Sequence, residues 1–438
     1  MTLLAGVAQR EISPSQPMYL TGYPKFERIA PGVHDPLLAS ALYLSDGVTS
    51  LLFVAVDILM LSHETVQRCR ADIHNATGIQ AGNILISASH THSGPVTVDL
   101  LAFRHDSTVP PADPAYMDFV CKQIRDAAEN ARRFAVPARA AFTHALAVGV
   151  GGNRHTPDGP HDPQAGIFYL EEIATRRPLA VSIVYSMHPT VLHEDSKLVS
   201  ADFPGYTRQF LAERLPGAQI LYHNGPCGNL SPRYHVTAQT FAEAERLGNR
   251  LGECIYQAIR SLLPSAFAEE LTLAALQGWI DLPWRTFPSV TEARDLLQQA
   301  RTKYEHLKTS CAPRPQVRTA EVNLFGAEER AFLVEAQQHG EVMALQARYT
   351  PTEVQVLRVG ETCFVGLPGE LFVEYGLEIK RRAPGRAFVI SLANGELQGY
   401  IVTPGAEGYE AAFSLFTPDA GRVLVEEALR LITHIHGL

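Results

Sequence analysis

Two histidines one residue apart follow an apolar stretch in the sequence ILISASHTHSGP, Ile84 to Pro95. Residues i and i+2 of an extended chain point to the same side, so His90 and His92 can reach one ion or one substrate group. Imidazole nitrogens are common zinc ligands in proteins. The pair alone leaves two interpretations open, a metal site and a polar strand end.

Four further apolar stretches also end in polar residues. LLFVAVD ends on Asp57, VSIVYSM is followed by His188, QILYHNGPCGN contains Asn224 and Asn229, and CFVGLPGE ends on Glu370. Ligands of α/β proteins bind outside the carboxyl ends of strands, so these side chains are expected to converge in one crevice. Taken singly, each has an ordinary explanation, such as a hydrogen-bonded core histidine or a capping carboxylate.

Taken together, these residues predict a zinc hydrolase. Two histidines and a carboxylate are a typical zinc ligand set that leaves one position for water. Zinc lowers the pKa of bound water toward about 7, which makes hydroxide available at neutral pH.

The elements that must position these residues alternate between short apolar runs and amphipathic helical patterns. This alternation predicts an α/β fold, a single large domain of mixed β-sheet flanked by helices. VQVLRVGETCFVGL indicates a hairpin at Gly360-Glu361, while residues 269–348 are more helical and more charged and could form an insertion. The predicted strands are 50–56, 84–89, 141–148, 179–186, 219–222, 354–359, 363–366 and 386–390.

Capping signals predict where several helices begin. Asp113-Pro114 and Thr417-Pro418 each place an N-cap residue before a proline, and Ser289 to Glu292 form a capping box. Further helices are predicted at 62–75, 203–214 and 240–262.

Composition excludes several classes of function. The 438 residues carry a net charge of −9 with a pI near 6.0, which argues against nucleic-acid binding. No apolar run approaches the roughly 18 residues that span a bilayer, and the N-terminus lacks the pattern of a secretory signal. Six cysteines without a CxxC pair indicate reduced thiols, so we expect a cytoplasmic protein.

The motifs together resemble the catalytic domain of the neutral, non-lysosomal ceramidases, over about residues 5 to 411. SASHTHSGP resembles that family's histidine motif, and SMHPT to LVSADFPGY resembles its second histidine segment. Four further segments match motifs of the family, and all the motifs occur along the chain in the family's order. These segments are the Asn153-Arg154 pair, GNLSPR, LPGELF and NGELQGYIVTP.

The resemblance implies a role for each matching residue. His90, His188, Glu370 and Tyr400 would hold one zinc ion, and His92 and Arg154 would face the scissile carbonyl. Ser231 matches a serine described as nucleophile or substrate positioner, and Tyr409 would be a second active-site tyrosine. The implied reaction is zinc-assisted hydrolysis of an N-acyl amide, with a small-molecule or lipid-like substrate.

The chain departs from the family pattern at several points. Asn229 replaces the aspartate of the Gly-Asp-x-Ser-Pro box, Pro189 replaces a glycine, and the interval from Tyr400 to Tyr409 is shorter. The family's β-rich C-terminal domain is not expected here, which favours a smaller or more soluble substrate than ceramide. Alternatives are an amidohydrolase barrel, a zinc esterase, carbamate hydrolase or lactonase, and a non-catalytic lipid- or metal-binding protein. The oligomeric state is left open.

Overall fold

The computed structural model describes residues 1–437, in which strands and helices alternate along the chain. The strands are β1 (Leu4–Glu11), β2 (Met18–Tyr19), β3 (Ile29–Ala30), β4 (Leu38–Ser45), β5 (Ser50–Val56), β6 (Ile84–Ala88), β7 (Val136–Leu146), β8 (Gly152–Asn153), β9 (Gln164–Glu172), β10 (Pro178–Tyr185), β11 (Gln219–Asn224), β12 (Leu230–Ser231), β13 (Leu273–Ile280), β14 (Thr352–Val359), β15 (Thr362–Gly366), β16 (Glu370–Leu371), β17 (Arg386–Ile390) and β18 (Tyr400–Ile401). The α-helices are α1 (His63–Thr77), α2 (Pro114–Arg133), α3 (Asp202–Arg214), α4 (Phe241–Arg260), α5 (Val290–Thr309), α6 (Arg314–Gln338), α7 (Glu341–Arg348), α8 (Val373–Arg382), α9 (Tyr409–Phe413) and α10 (Asp419–His436).

An eight-stranded mixed sheet forms the main layer, in the order β11-β10-β9-β7-β1-β4-β5-β6. Neighbouring strands are antiparallel except at the two ends, where β10 pairs with β11 and β5 with β6 in parallel. A four-stranded sheet, β13-β14-β15-β17, packs on one face of the large sheet through aromatic contacts such as Phe53 with Phe364. Helix α2 covers β1 and β4, and α10 covers β13 and β14. The predicted mixed α/β fold is confirmed, and the amidohydrolase barrel, which requires a parallel barrel, is excluded.

The large sheet bends back on itself, which brings its two edge strands together. The junction between β1 and β7 is narrow, since only Leu4 with Pro137 and Ala5 with Val136 are paired there. The Ser87 hydroxyl of β6 lies 2.7 Å from Nδ1 of His223 in β11. The chain segments that follow β6 and β11 therefore leave the sheet side by side.

Local sequence signals locate most of the predicted elements. The Asp113 carboxylate accepts hydrogen bonds from the backbone N–H of Ala115 and Tyr116, and the capping box at Ser289 is present. The hairpin at Gly360 joins β14 and β15, with Gly360 at φ 59°. The prediction that Thr417 caps α10 is wrong. The helix begins at Asp419 without a side-chain cap, and at Thr417 it is the carbonyl that accepts a hydrogen bond, from the Ala420 N–H.

Helices α5 and α6 form an antiparallel pair, here called the helical hairpin, joined by ion pairs such as Arg294 with Glu335. Helix α6 packs against α9. That residues 269–348 are an insertion stays a prediction, and β13 within that range pairs along its length with β14. Among the described residues, no helix is long and apolar enough to cross a membrane.

Candidate metal centre and active site

Three histidines converge where β6 and β10 end. His90 and His92 follow β6, His188 follows β10, and one ring nitrogen of each lies within 4.8 Å of the other two. His90 adopts φ 71°, a left-handed conformation rare outside glycine and frequent at functional sites. Its backbone N–H donates to Ile58 O at 2.9 Å, which holds this turn in place.

Backbone carbonyls fix the orientation of all three imidazoles. Nδ1 of His90 lies 2.8 Å from Leu59 O, Nδ1 of His188 lies 2.7 Å from Cys227 O, and Nδ1 of His92 lies 3.1 Å from Gly22 O. A carbonyl can only accept, so each Nδ1 carries the hydrogen and each neutral ring presents the lone pair of Nε2. This arrangement is typical of metal-ligating histidines.

The Nε2 atoms face one another across a space that suits a cation. Nε2 of His90 and His92 lie 3.4 Å apart, and two lone pairs at that distance cannot bond to each other. Burial, together with the neighbouring histidines, lowers the pKa of His92 well below its usual value. Burial likewise lowers the pKa of His188 to about 4, although Glu370 opposes the shift. Neutral imidazoles are the form that binds a metal, so the donor set fits the predicted ion.

Glu370 and Tyr400 adjoin this group on a short parallel ladder. Oε2 of Glu370 lies 3.0 Å from Nε2 of His188 and 3.3 Å from Nε2 of His90. Burial raises the pKa of the Glu370 carboxyl, and only protonated His90 and His188 rings would outweigh that effect and bring it well below its usual range. Tyr400 is the register partner of Glu370 between β16 and β18, so the pairing of these strands brings the two residues side by side although 29 residues separate them in the chain.

Glu410, which was not predicted from the sequence, holds Arg154 beside Tyr400. The Arg154 guanidinium carbon lies 5.3 Å from the centre of the Tyr400 ring, and Nε donates to Glu410 Oε1 at 2.6 Å. His155 Nε2 lies 3.1 Å from the same oxygen. Burial raises the pKa of Glu410, but the Arg154 charge and His155 bring it down to about 2. Nη2 of Arg154 lies 2.6 Å from the same Glu410 oxygen, so the guanidinium is held by its ion pair.

Tyr409 lies on the other side of Tyr400. The two ring centres are 6.0 Å apart, and Tyr409 begins α9, which packs against α6. Burial, the Glu329 carboxylate and the Tyr400 hydroxyl raise the pKa of Tyr409 well above its usual value, so its hydroxyl keeps its proton. The shorter interval from Tyr400 thus still leaves Tyr409 next to the candidate ligands.

Ser231 lies on β12 beside the strand that leads to Arg154. It pairs with Gly152 of β8, and its hydroxyl accepts a hydrogen bond from Arg233 N–H at 3.2 Å. Within residues 1–437, no imidazole or carboxylate hydrogen-bonds to this hydroxyl.

Asn229 has partners that explain its departure from aspartate. Its Nδ2 donates to Glu374 Oε2 at 2.8 Å, and its Oδ1 accepts from Val373 N–H at 2.8 Å. Asp57, by contrast, forms a buried ion pair with Arg208, with a closest approach of 2.6 Å. Asp57 therefore has a structural partner of its own and does not join the histidine group.

Comparisons with known proteins identify others of similar fold. No protein-family model matches the chain. The neutral ceramidase of Mycobacterium tuberculosis (strain ATCC 25618 / H37Rv) is 24% identical over 220 residues, 46% of this chain and about a third (34%) of that protein. Two solved structures each have a TM-score of 0.75: a ceramidase complexed with C2, 16% identical and covering 100% of this chain and 76% of that one, and the neutral ceramidase from Pseudomonas aeruginosa, 17% identical and covering 99% and 75%.

Proposed function

We propose that this chain, which has the fold of the neutral ceramidases, is a zinc-dependent hydrolase that cleaves the amide bond of an N-acyl amide. The observation that carries the proposal is the convergence of three Nε2 lone pairs, each set by a backbone carbonyl at Nδ1. Because Nδ1 carries the ring hydrogen, Nε2 of His188 cannot donate to the Glu370 oxygen 3.0 Å away, and a cation bound between the two would satisfy both.

The proposed ligands of a single zinc ion are His90, His188, Glu370 and Tyr400. Zinc bound there would polarise the substrate carbonyl and lower the pKa of a bound water. The tautomer of both histidines is already the one a ligand needs, so little reorganisation accompanies binding.

Two side chains of the protein would stabilise negative charge on the carbonyl oxygen. Arg154 offers a guanidinium that Glu410 fixes beside Tyr400, and Tyr409 offers a hydroxyl that stays protonated. His92 would also face the carbonyl, but its Nε2 carries a lone pair, so it would accept a proton from the attacking water. Donors fixed in a buried site before the substrate arrives need no rearrangement during the reaction, which is the main source of such stabilisation.

Glu370 would also move the proton that the leaving amine requires. It contacts both histidines through Oε2, which leaves Oε1 to take a proton from the attacking water and deliver it to the amide nitrogen. Ser231 would position the substrate, because a serine nucleophile needs an adjacent base and none hydrogen-bonds to it.

Metal analysis combined with hydrolysis assays tests the proposal. We expect about one zinc ion per chain and cleavage of N-acyl amides in a panel that also contains the matching esters. His90→Ala is expected to lose both metal and activity, while His144→Ala, at an exposed position of β7, keeps both. A metal-free protein, or a His90→Ala variant with full activity, would contradict the proposal. Cleavage of esters alone would move the reaction class from amides to esters.

A further inference from the structure

The helical hairpin contributes one carboxyl group to the active site. Glu329 of α6 is fully buried at 0% exposure, and neither of its oxygens makes a hydrogen bond of acceptable geometry. Unpaired buried carboxyl groups are rare because desolvation without a partner is costly, so Glu329 requires an explanation.

Helix α6 approaches α9 very closely at this point. A Cβ atom placed on Gly326 would lie 3.2 Å from Cα and from Cδ2 of Tyr409. Gly326 is three residues before Glu329, so both lie on the same face of α6. The side of α6 that carries Glu329 therefore faces Tyr409.

Two polar groups act on the Glu329 carboxyl, the Tyr409 hydroxyl and the Lys25 ammonium. Lys25 is shared with Glu328, with which it pairs, and its ammonium lies 4.5 Å from the centre of the Phe325 ring. Tyr409 is the neutral hydrogen-bonding group beside Glu329, and it adjoins the candidate active site through Tyr400.

We propose that Glu329 is a positioning residue of the active site, whose carboxyl hydrogen-bonds the Tyr409 hydroxyl and directs the phenolic hydrogen toward the substrate carbonyl. The inference rests on the proposed function, in which Tyr409 stabilises the developing oxyanion. It assigns the helical hairpin a part in catalysis.

The direction of this hydrogen bond depends on the protonation of Glu329. Burial raises its pKa to about 8, against the opposing effects of Lys25 and Tyr409. A neutral carboxyl donates its O–H to the Tyr409 oxygen, which leaves the phenolic hydrogen free for the substrate and polarises it further. An ionised carboxylate would instead accept the phenolic hydrogen and withdraw it from the substrate.

Glutamine and leucine substitutions at Glu329 distinguish donation of a hydrogen bond from ionisation and from mere filling of space. Glutamine keeps a donor at the same position and cannot ionise, while leucine fills the space without a polar group. We expect Glu329→Gln to stay within about threefold of wild-type kcat and Glu329→Leu to lose about 10- to 100-fold in kcat with KM nearly unchanged. Glu335→Gln is the matched control, because that residue of the same helix pairs with Arg294 of α5.

The pH profile gives a second readout. Wild-type kcat should fall above about pH 8 relative to Glu329→Gln, because only the wild type loses the donating proton. The titratable and charged groups on the surrounding elements are Lys25, Asp106, Arg301, Glu328 and Tyr409. They are common to both proteins, so the difference between the two profiles isolates Glu329. Equal kcat in Glu329→Leu and wild type, or identical pH profiles, would overturn the proposal.

A measurement without substrate keeps this inference distinct from the proposed function. In protein with ¹³C-labelled tyrosine, the Tyr409 resonance is assigned by its loss in Tyr409→Phe. It should shift in Glu329→Leu and stay unchanged in Glu335→Gln. A protein that hydrolyses no amide but shows this shift would refute the proposed function and retain the hydrogen bond. An unshifted resonance in Glu329→Leu would refute the hydrogen bond itself.

Discussion

Each histidine of the candidate metal centre is held at Nδ1, yet the three do not have equal surroundings. His90 and His188 contact the Glu370 carboxylate through Nε2, whereas His92 packs against Tyr23, with ring centres 5.3 Å apart. His90 and His188 therefore share the carboxylate that completes a ligand set. His92 lies on the side where substrate would be bound.

This difference predicts distinct outcomes for alanine variants. His188→Ala, like His90→Ala, should lose the metal, because a ligand adjacent to Glu370 is removed. His92→Ala should retain it and lose about 10²- to 10⁴-fold in kcat, the effect of removing a general base. Metal content and single-turnover rates measured on the same preparations separate these effects. Loss of the metal in His92→Ala would place His92 among the ligands.

Glu410 is predicted to matter through Arg154. Glu410→Gln removes the charge that holds the guanidinium, and a small displacement of a substrate-positioning group can cost about 100-fold in rate. We expect kcat/KM to fall by roughly that factor and the melting temperature to fall as well, because a buried Arg154 loses its counter-charge. Glu407→Gln, at an exposed position two residues before α9, is the control. Unchanged kinetics in Glu410→Gln would show that Arg154 needs no such support.

A hydrogen bond links helix α8 to the start of strand β12. Asn229, the residue directly before β12, donates it to Glu374 of α8. Asn229→Asp, which restores the family's aspartate, would place two carboxylates where the distance is now 2.8 Å. We expect the free energy of unfolding to fall by about 1–3 kcal/mol, because a buried donor is lost and like charges meet. The double variant Asn229→Asp with Glu374→Gln should recover most of the lost free energy of unfolding. Without that recovery, the loss would not come from this contact.

Helix α3 begins with a buried carboxyl that makes stability depend on pH. Burial raises the pKa of Asp202 to about 7, against hydrogen bonds from the Leu192 and Phe203 N–H groups. Between about pH 4 and 7 the folded protein holds a proton that the unfolded chain has released, so stability falls as pH rises through this window. Relative to Asp202→Asn, the wild type should lose about 1.4 kcal/mol per pH unit. Urea unfolding of both proteins at pH 4.5 and 6.5 measures this, and parallel pH dependence would refute it.

Local signals explain which elements the sequence predicts. Caps at Asp113 and Ser289 and the turn at Gly360 act within a few residues, so they can be identified from the chain alone. The convergence of Glu370 with Tyr400 depends on strand pairing between distant segments, which local signals do not encode. The family motifs supplied Tyr400 and Arg154. Glu329 and Glu410 were missed because neither belongs to a motif and each is recognisable only by its buried partner.

At the scale of the whole molecule, the candidate metal centre depends on how the large sheet bends. His90 follows β6, and the carbonyls of Cys227 and Leu230 that orient His188 follow β11. These strands end the sheet on opposite edges, and the bond between Ser87 and His223 joins them. Burial lowers the pKa of His223 to about 3, so the ring is neutral and its Nδ1 depends on this partner.

Ser87→Ala should therefore weaken both the fold and the metal site. His223 Nε2 already has no hydrogen-bond partner, and losing the Nδ1 contact would leave the whole imidazole unsatisfied, at a cost of about 1–3 kcal/mol. The segments that carry His90 and orient His188 would be less well fixed, so zinc affinity should fall by about 10- to 100-fold, as for other supporting contacts of metal ligands. Ser182→Ala on β10 is the matched control, because that serine is equally buried and its hydroxyl makes no hydrogen bond. Chemical denaturation measures the stability, and competition with a zinc chelator measures the zinc affinity. If Ser87→Ala matched Ser182→Ala in both quantities, contacts other than the one between Ser87 and His223 would hold the two edges of the sheet together.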